Sequence, residues 1–142
     1  MKHKFKYLSF GALFRLFFEQ QLDTVSSERM MTELVRNMAS DFERNMGSGL
    51  LRIKAFLKCP TGYIKADVTG VKKGVFVEST VKERTKRAEL AINIVTQELE
   101  EEEVEAIALG AIEKTLTPLN GRFSPVKTRK NAAGPRSRVL HV

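Results

Sequence analysis

The sequence predicts an α+β fold: two N-terminal helices, a three-stranded antiparallel β-meander, two C-terminal helices and a flexible basic tail (αα-βββ-αα). Three observations carry this expectation. Apolar residues recur at helical spacing on both sides of a central stretch, they alternate within that stretch from Leu51 to Thr69, and Gly and Pro fall at the joints.

At the start, Phe10, Leu13, Phe14, Phe17 and Phe18 stand at i, i+3, i+4, i+7 and i+8, the stripe of an amphipathic helix. The stripe either docks on the core or offers Phe10, Phe14 and Phe17 to a protein partner or a second copy of the chain. Asp23 to Ser27 is a polar break, and Ser26 or Ser27 can accept the first amides of a second helix. That helix aligns Met30, Met31, Leu34, Val35, Met38, Phe42 and Met46, and Gly47-Ser48-Gly49 ends it. Its methionines suit an irregular core and also an adaptable binding groove.

Beyond the glycines, Leu51, Ile53, Ala55 and Leu57 point one way and Arg52, Lys54, Phe56 and Lys58 the other. Cys59-Pro60-Thr61-Gly62 reads as a tight turn into a strand over Tyr63 to Thr69. Pairing Lys58 with Tyr63 sets Leu57 opposite Ile64, Ala55 opposite Ala66 and Ile53 opposite Val68. A slip of one residue would turn every apolar side chain to the wrong face. A third strand follows over Gly74 to Glu78; a two-residue loop puts Val75 and Val77 inward, and a bulged loop reverses them.

Thr80-Val81-Lys82-Glu83 has the form of a capping box, opening a helix with Val81, Ala88, Ala91, Ile92, Val95 and Leu99 on one stripe. A last helix carries Val104, Ile107, Ala108, Ala111 and Thr115 and stops near Pro118. From Asn120 periodicity is lost. The expected organisation is one domain over 1–118 and a flexible basic tail over 119–142.

Charge is sorted along the chain. Leu50 to Arg87 holds ten Lys and Arg against three acids, Ala88 to Pro118 eight acids against one Lys, and Leu119 to Val142 six Lys and Arg with no acid. The fields this makes favour polyanions more than the net charge of +7 implies. A single cysteine, Cys59, excludes an internal disulfide and points to a reducing, cytoplasmic setting. Arg15 breaks the first apolar run and no small-residue cleavage site follows, which argues against a secretory signal; the basic, acid-free start is also the composition of a mitochondrial presequence. The run falls short of the ~20 residues that span a bilayer, so a membrane partner ranks last.

The sequence lacks the chemistry of an enzyme. His3 and His141 sit at opposite ends, and no phosphate loop, nucleophile elbow, HExxH or CxxC occurs. Cys59 has no neighbouring His to activate it, and four consecutive acids, Glu100 to Glu103, cannot all face one ion on a helix. No cofactor or metal is expected.

Binding is better supported. The outward side of the hairpin presents Arg52, Lys54, Phe56 and Lys58 beside Tyr63 and Lys65, cations for phosphates and rings for bases. Lys82, Arg84, Lys86 and Arg87 cluster in the first turns of the expected third helix, where a phosphate would meet free amides as well. Lys127, Arg129 and Lys130 add cations from the tail. From Ser26 to Leu99, a helix, a three-stranded meander and a helix with a Lys-rich start resemble the double-stranded RNA-binding domain. Lys82-Glu83-Arg84-Thr85-Lys86 stands where that family has its lysines and Ala-Lys, and Glu89-Leu90 where it has paired alanines. The expectation is a small non-enzymatic accessory or regulatory protein that binds RNA or DNA, and its rival is an adaptor or inhibitor acting through the Phe-rich and Met-rich helices.

Overall fold

The computed structural model describes residues 6–47, 49–69 and 74–126 and the backbone of residues 137–141. In chain order the elements are β1 (Lys6–Leu22), α1 (Thr24–Met46), β2 (Leu50–Cys59), β3 (Gly62–Val68), β4 (Phe76–Ser79), β5 (Thr85–Gln97) and α2 (Glu101–Leu116). A 3-10 turn over Thr117–Leu119 leads to β6 (Gly121–Pro125), and β7 is Ser137–His141. The strands form one antiparallel sheet in the order β4-β3-β2-β5-β1-β6, with β7 also on β1. Because β6 pairs with Phe14 to Phe18 and β7 with Lys6 to Phe10, the two lie end to end along one edge of β1.

Among the described residues two layers result, with both helices on one face of the sheet and the other face uncovered. Leu8, Phe10, Phe14, Leu16 and Phe18 of β1 meet Ile53, Leu57, Ile64, Leu90 and Ile94 of the other strands in a single buried cluster. Met30, Met31, Leu34, Val35, Met38 and Phe42 of α1 close it, with Val104, Ala108 and Ile112 of α2. Each large apolar side chain so buried stabilises the fold by roughly 1.5–3 kcal/mol. Asp23 caps α1, its carboxylate accepting from Ser26 N–H at 2.7 Å, so the helix starts before Ser26 and Ser27. Gly47, at φ 67°, ends it by donating to the Glu43 carbonyl.

The αα-βββ-αα layout is therefore corrected. The Phe-rich start is a long strand because Leu8, Phe10, Ala12, Phe14, Leu16 and Phe18 alternate inward. Leu13 and Phe17 lie on its other side, half-buried, and together with the inward phenylalanines they imitate a helical stripe. The segment expected to open a helix at Thr80 is a loop leading into β5. Ala88, Leu90, Ile92, Ile94 and Thr96 alternate inward there, and β-branched Ile92, Ile94, Val95 and Thr96 favour a strand. Thr80 caps no helix: its hydroxyl accepts from Tyr63 N–H at 3.0 Å, which ties the loop to the hairpin turn. The layout shared with the double-stranded RNA-binding domain falls with that helix. Part of the expected tail is strand, since β6 and β7 pair with β1.

Other expectations hold in detail. The hairpin of β2 and β3 has Lys58 opposite Tyr63, Leu57 opposite Ile64, Ala55 opposite Ala66 and Ile53 opposite Val68. Val77 of β4 stands opposite Ala66 on the inner side, and Phe76 points out, 73% exposed. α2 explains the acidic run: Glu100 and Glu103 form its capping box, and Glu101, Glu102 and Glu103 fill the first turn, where the helix dipole favours anions.

Candidate nucleic-acid interface

Alternation along four long strands assembles the outer face of the sheet from residues far apart in sequence. One row across it runs Glu78, Lys65, Phe56, Ala91 and Leu13. The next runs Tyr63, Lys58, Glu89, Arg15 and Ser124, and a third Arg87, Phe17 and Arg122. On the other side of the first row, Phe76, Asp67, Lys54, Asn93 and Gly11 align. Neither helix lies over these residues: Arg15, Arg52, Lys54, Lys58, Lys65, Arg87 and Arg122 are exposed, and Phe17, Phe56 and Tyr63 half-buried.

Phe56 and Tyr63 stack with ring centroids 5.3 Å apart and planes 20° from parallel, and the Lys65 ammonium lies 5.3 Å from the Tyr63 centroid. The Tyr63 hydroxyl donates to Glu78 at 2.8 Å, which raises its pKa and fixes the ring against the sheet. Together the pair forms an apolar stack edged by cations. A shallow cavity of about 370 Å³ adjoins it between Lys54, Phe56, Lys65, Asp67 and Phe76.

One ion pair neutralises charge on this face. Arg52 forks onto Asp67, with Nε at 3.2 Å and Nη2 at 2.7 Å from its two oxygens. That bond holds the Asp67 carboxyl below the usual carboxylate range and raises Arg52. Around Phe17 the cations have no such partner. The Arg122 and Arg87 guanidinium carbons lie 5.1 and 5.7 Å from its ring centroid and the Lys86 nitrogen 5.6 Å. Among the described residues no ion pair engages these three, nor Arg15 or Lys58.

Of the residues expected to bind nucleic acid, Arg52, Lys54, Phe56, Lys58, Tyr63 and Lys65 do share one face, and Arg87 joins them from β5. Lys82 and Arg84 lie in the loop before β5, so no helix terminus gathers them with Lys86. Lys127, Arg129 and Lys130 lie outside the described residues. Phe10 and Phe14 are in the core at 1% and 3% exposure, which withdraws them as a partner surface, whereas Phe17 is on the outer face. Arg15 and Arg122 were missed because their segments read as helix and tail. Burial pushes the Cys59 thiol up, with Thr85 beside it pulling the other way, so it stays a thiol at neutral pH. No described helix is long and apolar enough to cross a membrane. No protein-family model matches this chain, and no curated protein matches it either.

Proposed function

We propose that this protein is a non-enzymatic accessory factor that binds single-stranded nucleic acid on the outer face of its sheet. The stacked Phe56–Tyr63 platform amid exposed, unneutralised cations carries this reading. Every base has a π-face, so a ring platform flanked by Lys and Arg engages a strand with little regard for sequence. The same cations disfavour a second copy of the chain as the occupant, because two such faces would repel. Rings on a sheet face can stack on the unpaired bases of a single strand, whereas a duplex keeps its bases paired and stacked, so single strands are favoured over duplexes.

Binding of labelled 12-residue DNA and RNA oligonucleotides, single-stranded and duplex, across a salt series is the test. Engagement of four or five phosphates gives a slope of log K against log salt of roughly −3 for a single strand. Phe56→Ala or Tyr63→Ala should cost about 1–3 kcal/mol of affinity without changing that slope. Failure of all four nucleic acids to bind at low salt would overturn the proposal.

A further inference from the structure

The cavity bounded by β2, β5, β1 and β6 has a volume of about 660 Å³ and gathers Arg15, Lys58, Arg87 and Arg122 around Phe17 and Glu89. Resting on the nucleic-acid reading of the same face, we propose that this cavity is a seat for a terminal phosphomonoester, the phosphorylated end of a bound strand.

The argument is one of charge and of preorganisation. With Lys86 at the Phe17 ring, five cations cluster here, and Glu89 is the one carboxylate among the described residues that line the cavity. Arg15 and Lys58 both stand opposite Glu89 in the strand register, and neither closes an ion pair with it. An internal phosphodiester brings one negative charge to such a cluster. A terminal phosphomonoester brings about −1.5 to −2 at pH 7 and three acceptor oxygens. The ring quadrupole of Phe17 attracts Arg87, Arg122 and Lys86 without consuming their N–H donors. Two guanidinium forks thus remain for bidentate contact, the geometry that suits phosphate oxygens. Phe17 is here a positioning residue: it holds the donors and touches no phosphate. Internal phosphates would follow past Lys58 towards the Phe56–Tyr63 platform, one row away on the same strands.

The same chemistry is offered by a strand end and by a free mononucleotide, and the experiment separates them. Full-length protein is titrated with 12-residue single strands carrying a 5′-phosphate, a 3′-phosphate or hydroxyl at both ends, and separately with AMP and adenosine. One phosphorylated end should bind about tenfold tighter than the hydroxyl-ended strand. That preference should vanish in Arg122→Gln, Arg87→Gln and Phe17→Leu, while Lys54→Gln weakens every strand by the same factor. The ratio between strands is insensitive to a general loss of folded protein, so a merely structural role for Phe17 would leave it unchanged. Equal affinity for all three strands overturns the phosphomonoester seat and leaves the nucleic-acid reading standing. Binding of AMP but not adenosine, with no strand bound, keeps the seat and overturns that reading. Failure of every ligand overturns both.

Discussion

The Arg52–Asp67 fork shows how one residue sets the charge available to a ligand. Arg52 donates twice to Asp67 and is thereby spoken for, although its guanidinium stands on the binding face. Asp67→Asn removes the acceptor charge while keeping the shape, so it releases Arg52 to a phosphate. We expect oligonucleotide affinity to rise and the salt slope to steepen by roughly 0.7, the increment for one more contact on a single strand. A variant that only damaged the sheet would move affinity the other way. The sign of the pH dependence follows from the same bond. The folded-state Asp67 carboxyl is lowered from its ordinary 3.8, by the Arg52 hydrogen bond first. Its contribution to stability is thus complete above that value and is lost as pH falls through the still lower folded value. Asp23 is lowered too, chiefly by Ser26, and acts in the same direction at the start of α1. Acid unfolding followed by circular dichroism should show the loss below pH ~3.8 shrink in Asp67→Asn, with no change in stability between pH 5 and 8 from either group.

At the scale of elements, the joint between the hairpin turn and the loop before β5 fixes the order of the sheet's first edge. Tyr63 N–H donates to the Thr80 hydroxyl and Thr80 N–H to the Tyr63 carbonyl, at 3.0 and 2.9 Å. Gly62 leaves room for this contact: a Cβ there would stand 2.7 Å from the Thr80 carbonyl oxygen, a backbone atom that cannot swing aside. Gly62→Ala should therefore destabilise by roughly 1–3 kcal/mol, read as a lower urea midpoint with an unchanged m-value. The same joint explains what was legible in the sequence. The β2–β3 hairpin could be read residue by residue because five of its seven outward positions from Arg52 to Asp67 are charged, so only period two fits. In β1 and β5 the outward side also carries Leu13, Phe17, Ala91 and Val95, and apolar residues on both sides satisfy a helical period as well as a strand period. A local signal then misled: Thr80 and Glu83 have capping-box spacing, but the Thr80 hydroxyl is taken by a residue 17 positions away. Half of the candidate interface was visible in the hairpin. Its other half, Arg15, Phe17 and Arg122, depends on β1 and β6 being strands and on their pairing with β5 and each other, a long-range outcome that no local window contains.

Across the whole molecule, the charge sorted along the sequence becomes charge sorted along the strands. Arg87 lies at the cavity end of β5, and Gln97, ten residues on, lies roughly 33 Å away at a strand's rise per residue. The acidic run Glu100 to Glu103 begins just beyond it, where Lys6 pairs with Glu100 at 2.8 Å. The cavity cations and the acidic run are thus separated by the length of the sheet. Whether the acids oppose a bound strand is decided by screening. The Debye length is about 30 Å at 0.01 M salt and about 8 Å at 0.15 M, so the acidic end acts on the cavity only in the dilute buffer. Glu101→Gln combined with Glu102→Gln leaves the Glu100–Glu103 capping box in place and removes two charges from that end. Binding of a short single strand should then tighten about two- to fivefold at 10 mM salt and stay unchanged at 150 mM. Equal tightening at both concentrations would mean that the strand runs the full length of the sheet and reaches α2, placing its phosphates beside the acids and not at the Phe17 end.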